Sequence, residues 1–194
     1  MKKGLLVASL SLLLLAGCSK AKNNTKQSLD SSSTIANTLS VLEEKPDESL
    51  HTKKIEFKTG EDGVQQTQYL TYKGKAYIKL VTEQISPLKD DLKNAVNQVG
   101  IEETTRLLKE ATEKDENYKQ ALTLPGFTNN IEILPDQRLK VTSEFDLQKI
   151  NTDEMDKMPY FKGSNLKDVL DMEPAKYIEA RQYSGATITD VPSQ

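Results

Sequence analysis

Cys18 is the only thiol in the chain and His51 the only imidazole, so the residue types that usually carry chemistry are nearly absent. One His and one Cys cannot supply the several nitrogen or sulfur ligands of a zinc or copper site, and no metal or cofactor is expected. His51 is a general base only if something positions it, and it stands at the expected junction of a tether and a domain. Without it there is no Ser-His-Asp or Cys-His constellation. Ser–Lys pairs and pairs of carboxylates arise by chance among 29 acidic and 26 basic residues, so no catalytic residue is assigned. Asp153–Glu154–Met155–Asp156 lacks the glycine and ligand spacing of a calcium loop and reads as a solvated acidic turn beside a helix start. Gly60 and Gly63 flank a hairpin turn and do not join strand to helix, so they make no phosphate cradle. Tyr69, Tyr72 and Tyr77 remain as candidate ligand-binding residues. They fall on neighbouring arms of one expected hairpin and combine stacking area with a polar tip, suiting a peptide or glycan. The bland alternative is a half-buried sheet face rimmed by tyrosines.

Cys18 has its own context. Lys2 and Lys3 precede an apolar run from Leu5 to Leu15, shorter than the roughly 20 residues of a membrane span, and Ala16 and Gly17 are the small residues that favour cleavage. Leu15–Ala16–Gly17–Cys18 resembles the bacterial lipobox, in which the cysteine thiol receives a diacylglycerol and becomes the first residue after cleavage. Residues 1–17 are therefore expected to be a lipoprotein signal peptide, with lipidation at Cys18. Several acyl chains hold a protein far more firmly than one. The expected address is extracytoplasmic, on the cell membrane.

Ser, Thr and Asn occupy 12 of the 22 positions from Ser19 to Ser40. Such a stretch cannot bury enough apolar surface to offset its ordering entropy. Residues 18–50 read as the lipidated cysteine and a flexible tether, with a root-mean-square span of about 30 Å. Residues 51–194 are expected to form a single domain.

Within that domain, alternation marks strands over 51–59, 64–72 and 76–85, joined by the turns Gly60–Gly63 and Lys73–Lys75. In the third, Ile78, Leu80 and Thr82 share one face, with Tyr77, Lys79 and Val81 on the other. The period then changes. Ser86–Pro87 looks like an N-cap with Pro at the first helical position, Leu88, Leu92, Ala95, Val96 and Val99 form a stripe, and Gly100 ends it. Residues 101–122 continue as a mostly exposed helix or two pieces. Pro125–Gly126 breaks this region. A second hairpin follows over 127–134 and 138–150, with Leu139, Val141, Ser143 and Phe145 on one face. Leu166–Leu170 suggests a short helix, Pro174 starts another through Arg181, and the tail from Ser184 reads as loop. The fold class is α+β: an antiparallel sheet of about five strands, a three-strand meander plus a later hairpin, packed with a central helical segment and short C-terminal helices.

A net charge of −3 gives no basic footprint for nucleic acid. Without Trp and with 6 % aromatic residues, the core is aliphatic. Leu15–Ala16–Gly17–Cys18, the turn Leu70–Thr71–Tyr72–Lys73–Gly74–Lys75, the helical stretch after Pro87 and the arm Leu139–Lys140–Val141–Thr142 together resemble the YehR-like family of small bacterial lipoproteins of unknown function. The resemblance covers about residues 52–150 and implies an α+β fold; it carries over no catalytic residue. The functional expectation is a membrane-anchored envelope lipoprotein with a non-enzymatic binding domain. Its partners would be the membrane, through the lipid, and an envelope protein, peptide or glycan. A cell-wall-acting enzyme or inhibitor, or a small solute-binding lipoprotein, are the alternatives.

Overall fold

The computed structural model describes residues 49–192. The expected signal peptide, Cys18 and the expected tether up to residue 48 lie outside the described residues. Six strands form one antiparallel sheet: β1 (Leu50–Glu56), β2 (Gln65–Lys73), β3 (Ala76–Pro87), β4 (Phe127–Ile133), β5 (Arg138–Asp146) and β6 (Thr187–Val191). Their spatial order is β4-β5-β3-β2-β1-β6. The meander and the later hairpin are as read from the alternation, and the two units join through β3 and β5, where Leu80 faces Phe145.

The sixth strand replaces the expected loop-like tail. β6 runs antiparallel to β1, with Ile188 opposite Ile55 and Thr52 opposite Val191. It carries one inward apolar side chain and little hydrophobic pattern, so pairing, not propensity, holds it in the sheet. A second difference lies at the end of β3. Ser86 and Pro87 do not cap a helix; they pair with Leu139 and Arg138 of β5 and extend the strand. Helix α1 (Asp90–Thr112) begins after them, with Lys89 at its N-cap and Asp90 and Asp91 in its first turn. Long-range pairing thus overrides a local helix-start signal at Ser86–Pro87.

The expected stop at Gly100 is a kink within α1: this residue has φ 84° and ψ 169°, a conformation open to glycine and strained for other residues. Helix α2 (Glu116–Leu122) follows after a break capped by Asp115, whose carboxylate accepts from the amides of Asn117 and Tyr118 at 2.8 and 3.0 Å. The chain then turns at Gly126, where φ is 85° and an added Cβ would lie 2.8 Å from the carbonyl oxygen of Asp146. β5 ends at Asp146, four residues short of the expected arm, and a turn follows. Three short helices complete the layer: α3 (Thr152–Met155), α4 (Leu166–Leu170) and α5 (Pro174–Tyr183), with a 3-10 turn over Pro159–Phe161.

The helices pack on one side of the sheet. A main core gathers Ile55, Leu70, Leu80, Phe127 and Phe145 from the strands beneath Leu124, Met155, Phe161, Leu166, Val169 and Tyr177. A smaller core joins Leu88 and Val96 to Ile133, with Leu92, Ile101 and Leu139 against it. Fully burying each such side chain is worth about 1.5–3 kcal/mol. Aromatic residues take a larger part than the composition suggests: the Phe127 ring stands 4.8 Å from that of Phe161 and 5.1 Å from that of Phe145. The opposite face of the sheet is polar and bears cross-strand ion pairs, among them Lys140–Glu83 at 2.8 Å and Lys79–Glu144 at 2.6 Å.

Candidate functional site

Strand register brings polar residues into line on the helix side of the sheet. Asn129 of β4 pairs with Ser143 of β5, Ser143 with Thr82 of β3, and Thr82 with Gln68 of β2. These four residues form a transverse polar row beside the apolar residues of the main core. On one side of it lies the row Phe127–Phe145–Leu80–Leu70, and on the other lie Ile131 and Val141, continued by Gln84 and Gln66. Gln68, Thr82 and Ser143 are buried. Buried polar groups cost stability unless they are hydrogen-bonded, and helices supply the partners at both ends. From α2 the Tyr118 hydroxyl donates to Asn129 Oδ1 at 3.2 Å, and Asn129 passes a bond to Ser143 Oγ at 2.8 Å. From α5 the Tyr177 hydroxyl donates to Gln68 Oε1 at 2.7 Å.

The α5 end of the row is electrostatically distinct. The guanidinium of Arg181 lies 4.7 Å from the centre of the Tyr177 ring and 5.8 Å from that of Phe57. Arg181 forms no ion pair among the described residues, while nearby Lys75 faces Glu173 at 2.9 Å. The Gln68 amide nitrogen and Arg181 Nε are buried without a hydrogen-bond partner. Burial pushes the Tyr177 phenol above its ordinary pKa, and the charge and hydrogen bonding of Arg181 pull the other way. Beside this group Phe57 donates its amide to the carbonyl of Gln66 at 3.1 Å, and Gln66 stands opposite Gln84. Phe57, Gln66, Gln84 and Arg181 are all half-buried.

The three sequence-selected tyrosines occupy two faces. Tyr69 lies on the polar open face, opposite Lys54 and Val81. Tyr72 and Tyr77 are register partners on the helix side, both packed against the main core. A shift in register between Thr71 and Tyr72 places Tyr77 there, correcting the simple alternation that put it with Lys79 and Val81. Burial raises the Tyr77 pKa, and its hydroxyl is buried without a partner. Tyr72 stacks on His51 with ring centres 5.4 Å apart, and His51 Nε2 lies 2.8 Å from Ser49 Oγ. The geometry therefore joins Tyr72 with Tyr77 and separates both from Tyr69.

Every described Asp and Glu is at least partly exposed. Asp153 and Glu154 stand in the first turn of α3, capped by Asn151, and Asp153 is paired with Lys167 at 2.7 Å, which holds its pKa below the ordinary range. No group of three or more His, Cys, Asp or Glu among the described residues could hold a metal ion. No described helix is long and apolar enough to cross a membrane.

A YehR-like family model matches residues 50–181, from the first strand to the Arg181 turn of α5. The chain belongs to the YehR-like family. An NMR structure of a protein from Streptococcus pneumoniae TIGR4 is similar at 32 % identity, covering 90 % of this chain and 100 % of that one, with a TM-score of 0.68. The NMR structure of the Escherichia coli YehR protein aligns over 76 % of this chain and 96 % of that one at 13 % identity, with a TM-score of 0.48. No curated protein matches.

The polar row is the feature that sequence reasoning missed. Its signal is present but faint: Ser143 interrupts the apolar stripe Leu139–Val141–Phe145, and Thr82 follows Leu80 on the same face. Only the register shows that these interruptions meet.

Proposed function

We propose that this YehR-like chain is a membrane-anchored lipoprotein of the bacterial cell envelope, and that its folded part binds a ligand without catalysing a reaction. The observation that carries the anchoring is Leu15–Ala16–Gly17–Cys18 behind two lysines and an apolar run, with Cys18 the single thiol of the chain. A binding role agrees with the interior chemistry. The buried polar groups of the sheet are amides and hydroxyls, which fasten α2 and α5 to it by hydrogen bonds, and they do not form a nucleophile–base pair. The long Ser-, Thr- and Asn-rich segment before β1 would give such a domain reach from the membrane surface.

Metabolic labelling with a fatty acid in a bacterial host tests the anchor. The wild-type chain is expected to take up label and to lose residues 1–17, and Cys18→Ala to accumulate as unlabelled precursor. Label retained by Cys18→Ala, or none on the wild type, overturns the reading.

A further inference from the structure

We propose that helix α1 is a releasable cover on the edge of the sheet, able to undock from β4 while the main core stays folded. The proposal goes beyond the binding role above and depends neither on the lipid anchor nor on any ligand. α1 spans 23 residues and buries only Val96 and Thr104. A helix in a protein draws most of its stability from packing one face, and α1 packs little of its own. It contributes no residue to the main core; Leu92, Val96 and Ile101 belong to the small cluster with Leu88, Ile133 and Leu139. Val99 and Leu107 stay exposed. Lys89 gives the helix no side-chain cap, and Gly100 interrupts its geometry midway. Few buried apolar contacts and a solvent-exposed ladder mark a segment that opens before the rest of a fold.

What α1 covers gives the release a consequence. β4 is the outermost strand on this side of the sheet, and α1 packs against it. Leu134 donates its amide to the Arg138 carbonyl at 2.8 Å, and Asp146 donates to the Gly126 carbonyl at 2.7 Å. Even-numbered positions of β4 therefore bond to β5, and odd-numbered ones turn their main-chain groups to the outer edge. There Phe127 donates to the Leu124 carbonyl at 3.1 Å, and Ile133 donates to the Thr105 hydroxyl of α1 at 3.4 Å. Ile131 and Ile133 are buried although they stand on an edge strand. A helix laid over an edge is one way to keep it from pairing with another chain. Release of α1 would present the outward groups of Asn129, Ile131 and Ile133 to an extended segment.

Amide hydrogen exchange of the full chain in detergent, followed residue by residue by NMR, tests the cover. The amides of α1 are expected to exchange at least tenfold faster than those of β2 and β3, with little dependence on low concentrations of urea. Within β4, the Ile133 amide is expected to open in step with α1, and that of Glu132, bonded to β5, in step with β3. The conservative variant Ile55→Val weakens the main core and leaves α1 untouched. It is expected to speed exchange in β2, β3 and Glu132 by about threefold, and to leave α1 and Ile133 unchanged. Exchange of α1 no faster than that of β3, or equal rates at Ile133 and Glu132, overturns the proposal. Equal acceleration of α1 and β3 by Ile55→Val also overturns it, since α1 would then open only with the whole fold.

Discussion

Tyr177 joins three roles in one side chain. Its ring fills the main core, its face supports the Arg181 guanidinium, and its hydroxyl closes the polar row at Gln68. Because the Gln68 amide nitrogen already lacks a partner, the bond to Oε1 is the one that compensates burial of the amide. Tyr177→Phe keeps the packing and removes that bond. It is expected to destabilise the fold by about 1–3 kcal/mol, the cost of leaving a buried polar group unsatisfied, measurable by urea denaturation. Tyr118 makes the equivalent bond to Asn129, which is half-buried, so water can replace part of what Tyr118→Phe removes. None of these pairs was legible beforehand, since Gln68 and Tyr177 stand 109 positions apart and neither carries a motif. What could be read at this scale was local: turn glycines, and the alternation that set Leu80 and Phe145 on the faces that the core buries.

The elements differ in how much of their stability is their own. β3 and β5 announce themselves by alternation, whereas β2 alternates less cleanly because Gln66 and Gln68 stand in its inward stripe. β6 has Ile188 alone as an inward apolar residue, with Asp190 next on that face, ion-paired to Lys53. Such a strand is invisible to a pattern search yet covers the edge of β1. Ending the chain at Ser184 is expected to destabilise the domain by about 2 kcal/mol or more, since Ile188 and Ala186 leave the core and one side of β1 loses its ladder. A tail without structure would leave the thermal midpoint unchanged. The same contest between local signal and long-range pairing explains Ser86–Pro87, which would open a helix in isolation and instead completes β3 against β5.

At the scale of the molecule, the distribution of phenols sets the response to alkali. Burial raises the pKa values of Tyr77, Tyr118, Tyr160 and Tyr177. A phenol whose folded pKa lies above its unfolded value of about 10 contributes stability that is complete below that pH and is lost as pH rises through the folded value. Unfolding above about pH 10 should therefore release these four together. Phenolate absorbance followed alongside circular dichroism is expected to show four of the seven tyrosines ionising with the loss of secondary structure. Titration of all seven before any unfolding would contradict the burial. The chain has no Trp, so the phenolate signal is free of indole absorbance.

The placement of β6 has one more consequence, a mechanical one. Any load entering the domain from the preceding residues arrives at Leu50, the first residue of β1. Without β6, β1 would be the rim of the sheet and would peel away from a single neighbour. With it, β1 is gripped on both flanks, by seven residue pairs with β2 and five with β6. Tension between a surface and this domain would meet both ladders from Thr52 onward before the fold gives way.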